Sequence, residues 1–527
     1  MNVAFRILIT IGLINSSFVS CERILVLFYH PGPSHFYSLY PLFNELAIRG
    51  HNVTVLTYTH VKDAHQNYNE LLLTEMPVIN GSITYDTMLP LDRSLFTMHA
   101  EMKELYNLAE IERELALKSP RIDQILAMHR NQPFDIVLVE QFISDVFLGL
   151  IYKLNVPFIG FSTCALPSYY YDQINLPHFP AFIPFAFSGF SWDMNFYDRT
   201  INWLIVKSTK LIYKFIQMRD NEEIHKRFGN DIPDVAEIGK RISLTFVNQH
   251  YSYAGPKAYS NQLIEIGGLH IKPSKPIPQH LKEVLDNAEN GVLLVSWGGN
   301  VRSSSIPEHI QHEFVKGFAK LSMQVIWKWE NASMQDMVSK NVYVTPWLPQ
   351  QDILCHPNVR VFWSHGGNLG TIETVHCGKP AIVTPFYGDQ YLNAAALNQR
   401  GMGFKIDLLK ITADNIYNIV QKALDPKVVE AAQKVSYEHR NRLRSPLETA
   451  VWWVEHTIAT SGFELGRANT TDMYWFTYHS IDVIIFILIS FISIIVIFKF
   501  LLTQSLNILM YCCSRTKNVS NQTKKQN

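Results

Sequence analysis

Two histidines carry the chemistry that this chain's residue types and spacings allow. His35 stands in His30-Pro31-Gly32-Pro33-Ser34-His35, where the apolar strand Arg23–Phe28 runs out and a helix starts at once. A hydroxyl is a poor nucleophile until its proton is leaving. An imidazole with a pKa near neutrality is the usual base for that transfer, worth roughly 10²–10⁴ in rate. His30, His51 and His60 read instead as polar surface or turn residues, because only His35 combines a strand end with a helix start. His365 opens the second cluster, within FWSHGGNLGTIETVHCGKPAIVTPFYGDQ over 362–390. The Gly366-Gly367 turn can bring backbone N–H groups close to a ligand, and the helix beyond offers the positive end of its dipole to phosphate. Glu373 follows His365 by just over two helical turns, so both can face one bound nucleotide. Asp389 and Gln390 follow a second strand, where open α/β sheets gather ligand contacts.

The 362–390 segment resembles the signature of the UDP-glycosyltransferases. Ser364, His365, Gly367, Gly370, Glu373, Pro380, Pro385, Asp389 and Gln390 all stand where that family fixes them. Upstream, Trp347-Leu348-Pro349-Gln350-Gln351 with His356-Pro357 resembles the family's uracil-binding segment. The resemblance implies a uracil stacked on Trp347, a nucleoside oriented by Gln350 and ribose hydroxyls bonded to Glu373. It also implies a diphosphate held by His365 with the backbone of Gly366 and Gly367, and a sugar held by Asp389 and Gln390. Ser296 and Gly298-Gly299-Asn300 stand where relatives often carry a Gly-Ser pair, so Gly299 would offer a backbone donor without a hydroxyl. Asn368-Leu369 is atypical too, and one phosphate contact is expected to be lost or moved to Asn368.

In the family the base, at the His35 position, is held by an aspartate at the end of a later strand, the logic of a triad without its serine. Here Glu140 stands at that point, after Phe134–Val139, and Asp145 follows in the next turn. Both carboxylates stay open as the partner of His35, with the reading leaning to Asp145. No Asp-x-Asp metal motif occurs, so departing UDP is expected to be stabilised by His365, N–H groups and the helix dipole, with no metal and no cofactor beyond the co-substrate UDP-sugar. Direct displacement on an α-linked donor gives a β-glycoside.

The elements that must position these residues alternate strand and helix. Val53–Tyr58, Ile136–Val139 and Phe158–Phe161 continue from the first strand. After a Pro-rich link at Pro273–Pro278 the alternation restarts with Val292–Ser296, Val325–Trp329, Val342–Val344, Val361–Trp363 and Ala381–Val383. The expected fold is α/β of the GT-B type, two doubly wound Rossmann-like domains facing across a cleft, plus one C-terminal transmembrane helix. The expected divisions are a signal peptide (1–21), an acceptor-binding domain (22–270), a linker (271–290) and a UDP-sugar-binding domain (291–445). A returning helix with a juxtamembrane segment (446–478), a span (479–502) and a cytosolic tail (503–527) follow. Neither half carries GxGxxG, which argues against a nicotinamide or flavin enzyme.

Lys plus Arg and Asp plus Glu number 46 each, which leaves no basic field suited to nucleic acid. An early Arg6 before the apolar run Ile7–Ile14 reads as a signal peptide. Uncharged Val483–Phe498, with Tyr474, Trp475 and Tyr478 before it and only basic charges after it, reads as a single span with its tail in the cytosol. Lys524 and Lys525 resemble a dilysine address for the endoplasmic reticulum, which would make this a type I membrane protein with lumenal catalytic domains. Cys164, Cys355 and Cys377 read as buried free thiols. Sequons fall at Asn52, Asn80, Asn331 and Asn469, with Asn331 and Asn469 in the more polar stretches.

The rings of Phe158–Trp203 read as a loop-rich apolar wall for a small lipophilic acceptor that arrives from the bilayer. The Asp389–Ala394 run resembles arthropod members of the family, tilting the donor toward UDP-glucose over UDP-glucuronate. Glu140 and Leu369 keep open a membrane-anchored protein that binds UDP or a lipophile without transfer, against which intact His35, Glu373, Asp389 and Gln390 weigh. A transferase with a dedicated lipid acceptor and a homo-oligomeric state also stay open.

Overall fold

Short runs of β-branched and aliphatic residues such as RILVL and VLLVS become strands buried on both faces, and such strands pair in parallel beneath covering helices. The computed structural model describes residues 21–75, 84–85, 93–464 and 473–523. Asn80, Asn469, the dilysine pair and the expected signal peptide short of Cys21 lie outside these residues.

The first sheet joins β1 (Arg23–Leu27), β2 (Asn52–Thr57), β3 (Tyr68–Leu72), β4 (Ile136–Glu140), β5 (Phe158–Ser162), β6 (Leu244–Val247) and β7 (Leu263–Glu265) in the order β3-β2-β1-β4-β5-β6-β7. The second joins β8 (Val292–Ser296), β9 (Gln324–Lys328), β10 (Val342–Thr345), β11 (Val359–Ser364), β12 (Ala381–Val383) and β13 (Gly403–Lys405) in the order β10-β9-β8-β11-β12-β13. All pairings are parallel, which gives the two Rossmann-like sheets of a GT-B fold. In each sheet the winding reverses beside its first strand, between β1 and β4 and between β8 and β11. Ligands of open α/β sheets sit in the crevice beyond such a switch point. Register completes the placement, with Leu27 beside Val139 in one sheet and Ser364 beside Ser296 in the other.

Ile24, Val26, Ile136 and Leu138 pack on the Pro33–Ile48 helix and on Ala450, Val451 and Val454 of the Pro446–Ala459 helix. The latter helix therefore returns across the first sheet, started by a Ser445–Glu448 capping box.

Two expectations change here. Phe161, Tyr169, Tyr170, Tyr171, Phe185 and Phe187 are buried in the core of the first domain, whereas Phe179, Phe182 and Phe196 are exposed, so only part of the expected Phe158–Trp203 wall is open. Prolines between them made the segment look loop-like, and it is; its loops fold inward over the sheet. Cys355 and Cys377 are also not free thiols. They form a disulfide with Cα atoms 4.8 Å apart, between the ends of two helices that flank β11, Gln350–Leu354 and Asn368–Cys377. A pairing made by tertiary packing has no signature in spacing. Cys164 remains a buried free thiol. Closing a loop of this length is worth about 3 kcal/mol, so Cys377→Ser should lower the midpoint of thermal unfolding by several degrees. An unchanged midpoint for purified protein in detergent would refute a stabilising role.

The helix Ile481–Thr523 is a separate unit, and Ile481–Tyr511 within it is long and apolar enough to cross a membrane. It runs on past 502 because no glycine or proline interrupts it before 523.

Candidate active site

β1 ends at Leu27, and Gly32-Pro33 starts the next helix with proline at its first position, so His35 sits in its first turn. Its Nδ1 lies 2.9 Å from Glu140 Oε1, at the end of β4. Thr163 Oγ1, just past β5, lies 2.9 Å from the same nitrogen. Glu140 is buried and can only accept when ionised, so it fixes the proton on Nδ1 and leaves Nε2 as the basic nitrogen. Asp145, toward which the sequence leaned, makes no contact with His35. Gln173 Nε2 at 3.0 Å and Gln217 Nε2 at 2.8 Å hold its carboxylate in the interior, where burial pushes it up to about 7. The turn Gln141–Ser144 carries Asp145 behind the sheet and presents Phe142 to the His35 ring, centroids 4.9 Å apart.

Of the three histidines expected at the surface or in turns, His30 and His51 lie in loops but have largely buried side chains, whereas His60 is exposed. The His30 ring lies 4.4 Å from that of His35, and its Nδ1 is 3.0 Å from Glu112 Oε1. Burial holds the Glu112 carboxyl well above the usual range and pushes His30 down to about 3. Burial thus disfavours charge on both partners and opposes a second positive charge beside His35. Nothing in the sequence pointed to Glu112, which comes from the distant Leu95–Lys118 helix.

On the facing sheet, Ser296 Oγ donates to Gln350 Oε1 at 2.8 Å, and Gln350 Nε2 donates to Glu373 Oε2 at 2.6 Å. This relay fixes Glu373, which burial pushes up to about 7. Trp347 is 65% exposed, an open ring face beyond β10. His365 follows β11, and burial pushes it down to about 4. Its ring fits because Gly298 and Gly367 lack a Cβ: one added at Gly367 would meet the ring at 2.4 Å, and one at Gly298 at 2.9 Å. Gly299 continues that same turn after β8.

Three donor assignments change in detail. The Gly366 N–H turns back to Ser364 Oγ at 3.1 Å, so it is not aimed at a ligand. The Asn368 side chain also looks away, donating to Thr163 O at 3.0 Å and Asn248 O at 2.8 Å in the first domain. Asn368 is a clasp between domains. What remains for an anion is the start of the Asn368–Cys377 helix, whose N-cap Gly367 has no side chain to satisfy the first N–H groups. Gln390 spends its carbonyl on the Phe386 N–H at 2.8 Å, shaping the loop after β12. Asp389 accepts from Asn393 Nδ2 at 3.1 Å; burial pushes it up to about 6, against that hydrogen bond and the nearby His35. His35 and Asp389 thus confront each other across the crevice.

A second clasp escaped the sequence reading. Glu101 accepts from the Gly388 N–H and from Arg93 Nη1, and the Arg93 guanidinium lies 3.8 Å from the centroid of the Tyr391 ring. It ties the Leu95–Lys118 helix of the first domain to the loop that carries Asp389.

The sequence profile described as UDP-glucoronosyl and UDP-glucosyl transferase matches residues 24–518. UDP-glucosyltransferase 2 of Dactylopius coccus is 33% identical over 487 residues, 91% of this chain and 92% of its own length. UDP-glycosyltransferase UGT5 of the same species is 32% identical over 508 residues, 95% of each chain. Among solved structures, the glycosyltransferase VinC in complex with dTDP superposes with a TM-score of 0.55 at 14% identity, over 83% of this chain and 100% of its own, which speaks to the fold alone. With match and fold both running the length of the two sheets, this chain belongs to the UDP-glucuronosyl and UDP-glucosyl transferase family and is a UDP-glycosyltransferase.

Proposed function

We propose that this enzyme moves a hexose, glucose before glucuronate, from its UDP-sugar to a hydroxyl of a small lipophilic acceptor, with inversion and without a metal ion. The observation that carries this reading is the buried Glu140 carboxylate on His35 Nδ1, at one switch point and opposite Asp389. Nε2 takes the acceptor's proton as its oxygen attacks the anomeric carbon, and Glu140 stabilises the imidazolium that forms. His365 and the open helix start at Asn368 receive the charge that develops on departing UDP. Trp347 stacks the uracil, Glu373 accepts from the ribose, and Asp389 with Gln390 holds the sugar. The lipophilic acceptor lies beside the His35 imidazole, with exposed Phe179 and Phe182 of the Phe158–Trp203 segment as candidate apolar contacts. The glucose preference rests on the Asp389–Ala394 run and on a relative named as a glucosyltransferase. Residence in the endoplasmic reticulum, with the two domains lumenal, draws support from the apolar C-terminal helix, the basic tail and a disulfide that suits an oxidising compartment.

Glu373 gives donor binding a pH dependence of known sign. Free Glu373 titrates at about 7, raised by burial, whereas one accepting from two ribose hydroxyls is held ionised. Binding of UDP-glucose then releases a proton, so affinity rises with pH through about 7 and levels off above. Between pH 6 and pH 8 the gain is about ten-fold. Isothermal titration should show it, and Glu373→Gln should flatten it; a flat wild-type profile would count against the ribose assignment.

The reading is tested by supplying microsomes that carry the protein with UDP-glucose, UDP-glucuronate or UDP-galactose, a panel of phenols and EDTA. A β-glucoside is the expected product. Failure of every donor while UDP still binds would replace the transferase with a binding protein.

A further inference from the structure

Asn368, where this chain departs from the family's pattern, turns its side chain to the first domain and away from the donor. It opens the Asn368–Cys377 helix and is buried. Its Nδ2 donates to Thr163 O at 3.0 Å and to Asn248 O at 2.8 Å. Only the N–H₂ end of an amide can meet two carbonyls, so the side chain has one orientation here. Thr163 and Asn248 each stand one residue beyond a strand of the first sheet, β5 and β6 respectively. Asn248 Nδ2 donates to Thr163 O as well, at 3.1 Å. Both lone pairs of that carbonyl are then engaged, one of them from the opposite domain.

The same threonine touches the base. Thr163 Oγ1 lies 2.9 Å from His35 Nδ1, the nitrogen that Glu140 Oε1 also meets at 2.9 Å. Glu140 decides which nitrogen carries the proton. A second oxygen on Nδ1 fixes the plane of the ring, and with it the line along which Nε2 points. Threonine is stiff about χ1, so a backbone held at its carbonyl also holds its Oγ1. One amino acid thus connects the start of the donor-side helix to the imidazole that takes the acceptor's proton.

We propose that Asn368 and Thr163 are positioning residues for the base. Seating of the donor-side helix on the first domain aligns His35 through Thr163, which couples proton removal to closure of the two domains. The inference rests on His35 as the base. A shift of about 1 Å at a reacting group can cost up to about 10²-fold in rate. Affinity for UDP has no reason to follow, because alanine at 368 keeps the helix and its first N–H groups.

The test is single-turnover transfer from saturating UDP-glucose to 1-naphthol by the full-length protein in detergent, with UDP binding measured beside it. The variants are Asn368→Ala, Thr163→Val, the two combined, Thr163→Ser and His35→Ala. UDP binding and a cooperative thermal transition mark each variant as folded. Asn368→Ala and Thr163→Val should each lower the rate by about 10–10²-fold with UDP affinity unchanged. Thr163→Ser, which keeps the oxygen, should stay close to wild type. The double variant should be no slower than Thr163→Val within about two-fold, since without Oγ1 there is nothing left for Asn368 to place. Losses that multiply would overturn the proposal in favour of a clasp that only holds the domains together. A wild-type rate in Asn368→Ala, with His35→Ala inactive, would overturn it and leave the base assignment standing. An active His35→Ala would remove the base assignment itself, and this inference with it.

Discussion

Replacing His35 by alanine is expected to lower kcat by about 10²–10⁴-fold and to leave UDP binding unchanged. The split follows from where the two jobs are done. His35 belongs to the first sheet, whereas Trp347, Gln350 and Glu373 hold the nucleoside on the second. Removing the imidazole takes away a group with a basic nitrogen left over and the buried Glu140 behind it. His30 cannot stand in, because its burial with Glu112 keeps it from gaining a proton near neutrality. Asp389 interacts electrostatically with His35, and a residual rate that rises as pH passes about 6 would identify it as a weak substitute. Single-turnover transfer with saturating donor reads the chemical step, and titration with UDP reads binding. A loss smaller than about ten-fold would place the base elsewhere.

The two halves of the site were unequally legible in the sequence. The second sheet was written almost in full, because its contacts come from one continuous segment whose glycines and acids sit at fixed distances from one strand end. What was missed there is a matter of direction: sequence gives Asn368 a position at a helix start, but only packing turns its amide toward Thr163 O and Asn248 O. The first sheet was harder, since its partners to His35 arrive from β4, from the residue after β5 and from the Leu95–Lys118 helix. Glu140 was in view, yet Asp145 was as near in sequence, and only the turn at Gln141–Ser144 separates them. Strands β3, β6, β7 and β13 were not anticipated. YNELL is largely polar, and LIE and GFK are too short for a periodicity to declare itself. The disulfide and the two clasps between domains are products of tertiary contact.

Glu140→Gln should cost almost as much as losing His35, whereas Asp145→Asn should leave the chemical step near its wild-type rate. Glutamine keeps the volume of the buried side chain and removes its charge. The imidazolium formed during transfer then has no counter-charge, and the amide can present an N–H₂ that favours the wrong tautomer. A carboxylate in this position behind a catalytic imidazole is worth up to about 10⁴-fold. Glu140→Asp is the sharper test, because it supplies the residue that many relatives carry. Here the backbone is set for the longer side chain. Withdrawing the carboxylate by one methylene, about 1.5 Å, opens a 2.9 Å contact beyond hydrogen-bonding distance and leaves Thr163 as the sole partner of Nδ1. Aspartate should therefore give a kcat between those of wild type and Glu140→Gln, with the KM for the UDP-sugar unaltered in both. Asp145→Asn disturbs only the amides of Gln173 and Gln217, so its effect should fall on thermal stability. The opposite ordering, with Asp145→Asn inactive and Glu140→Gln active, would show that the contact seen at His35 is not the one used in transfer.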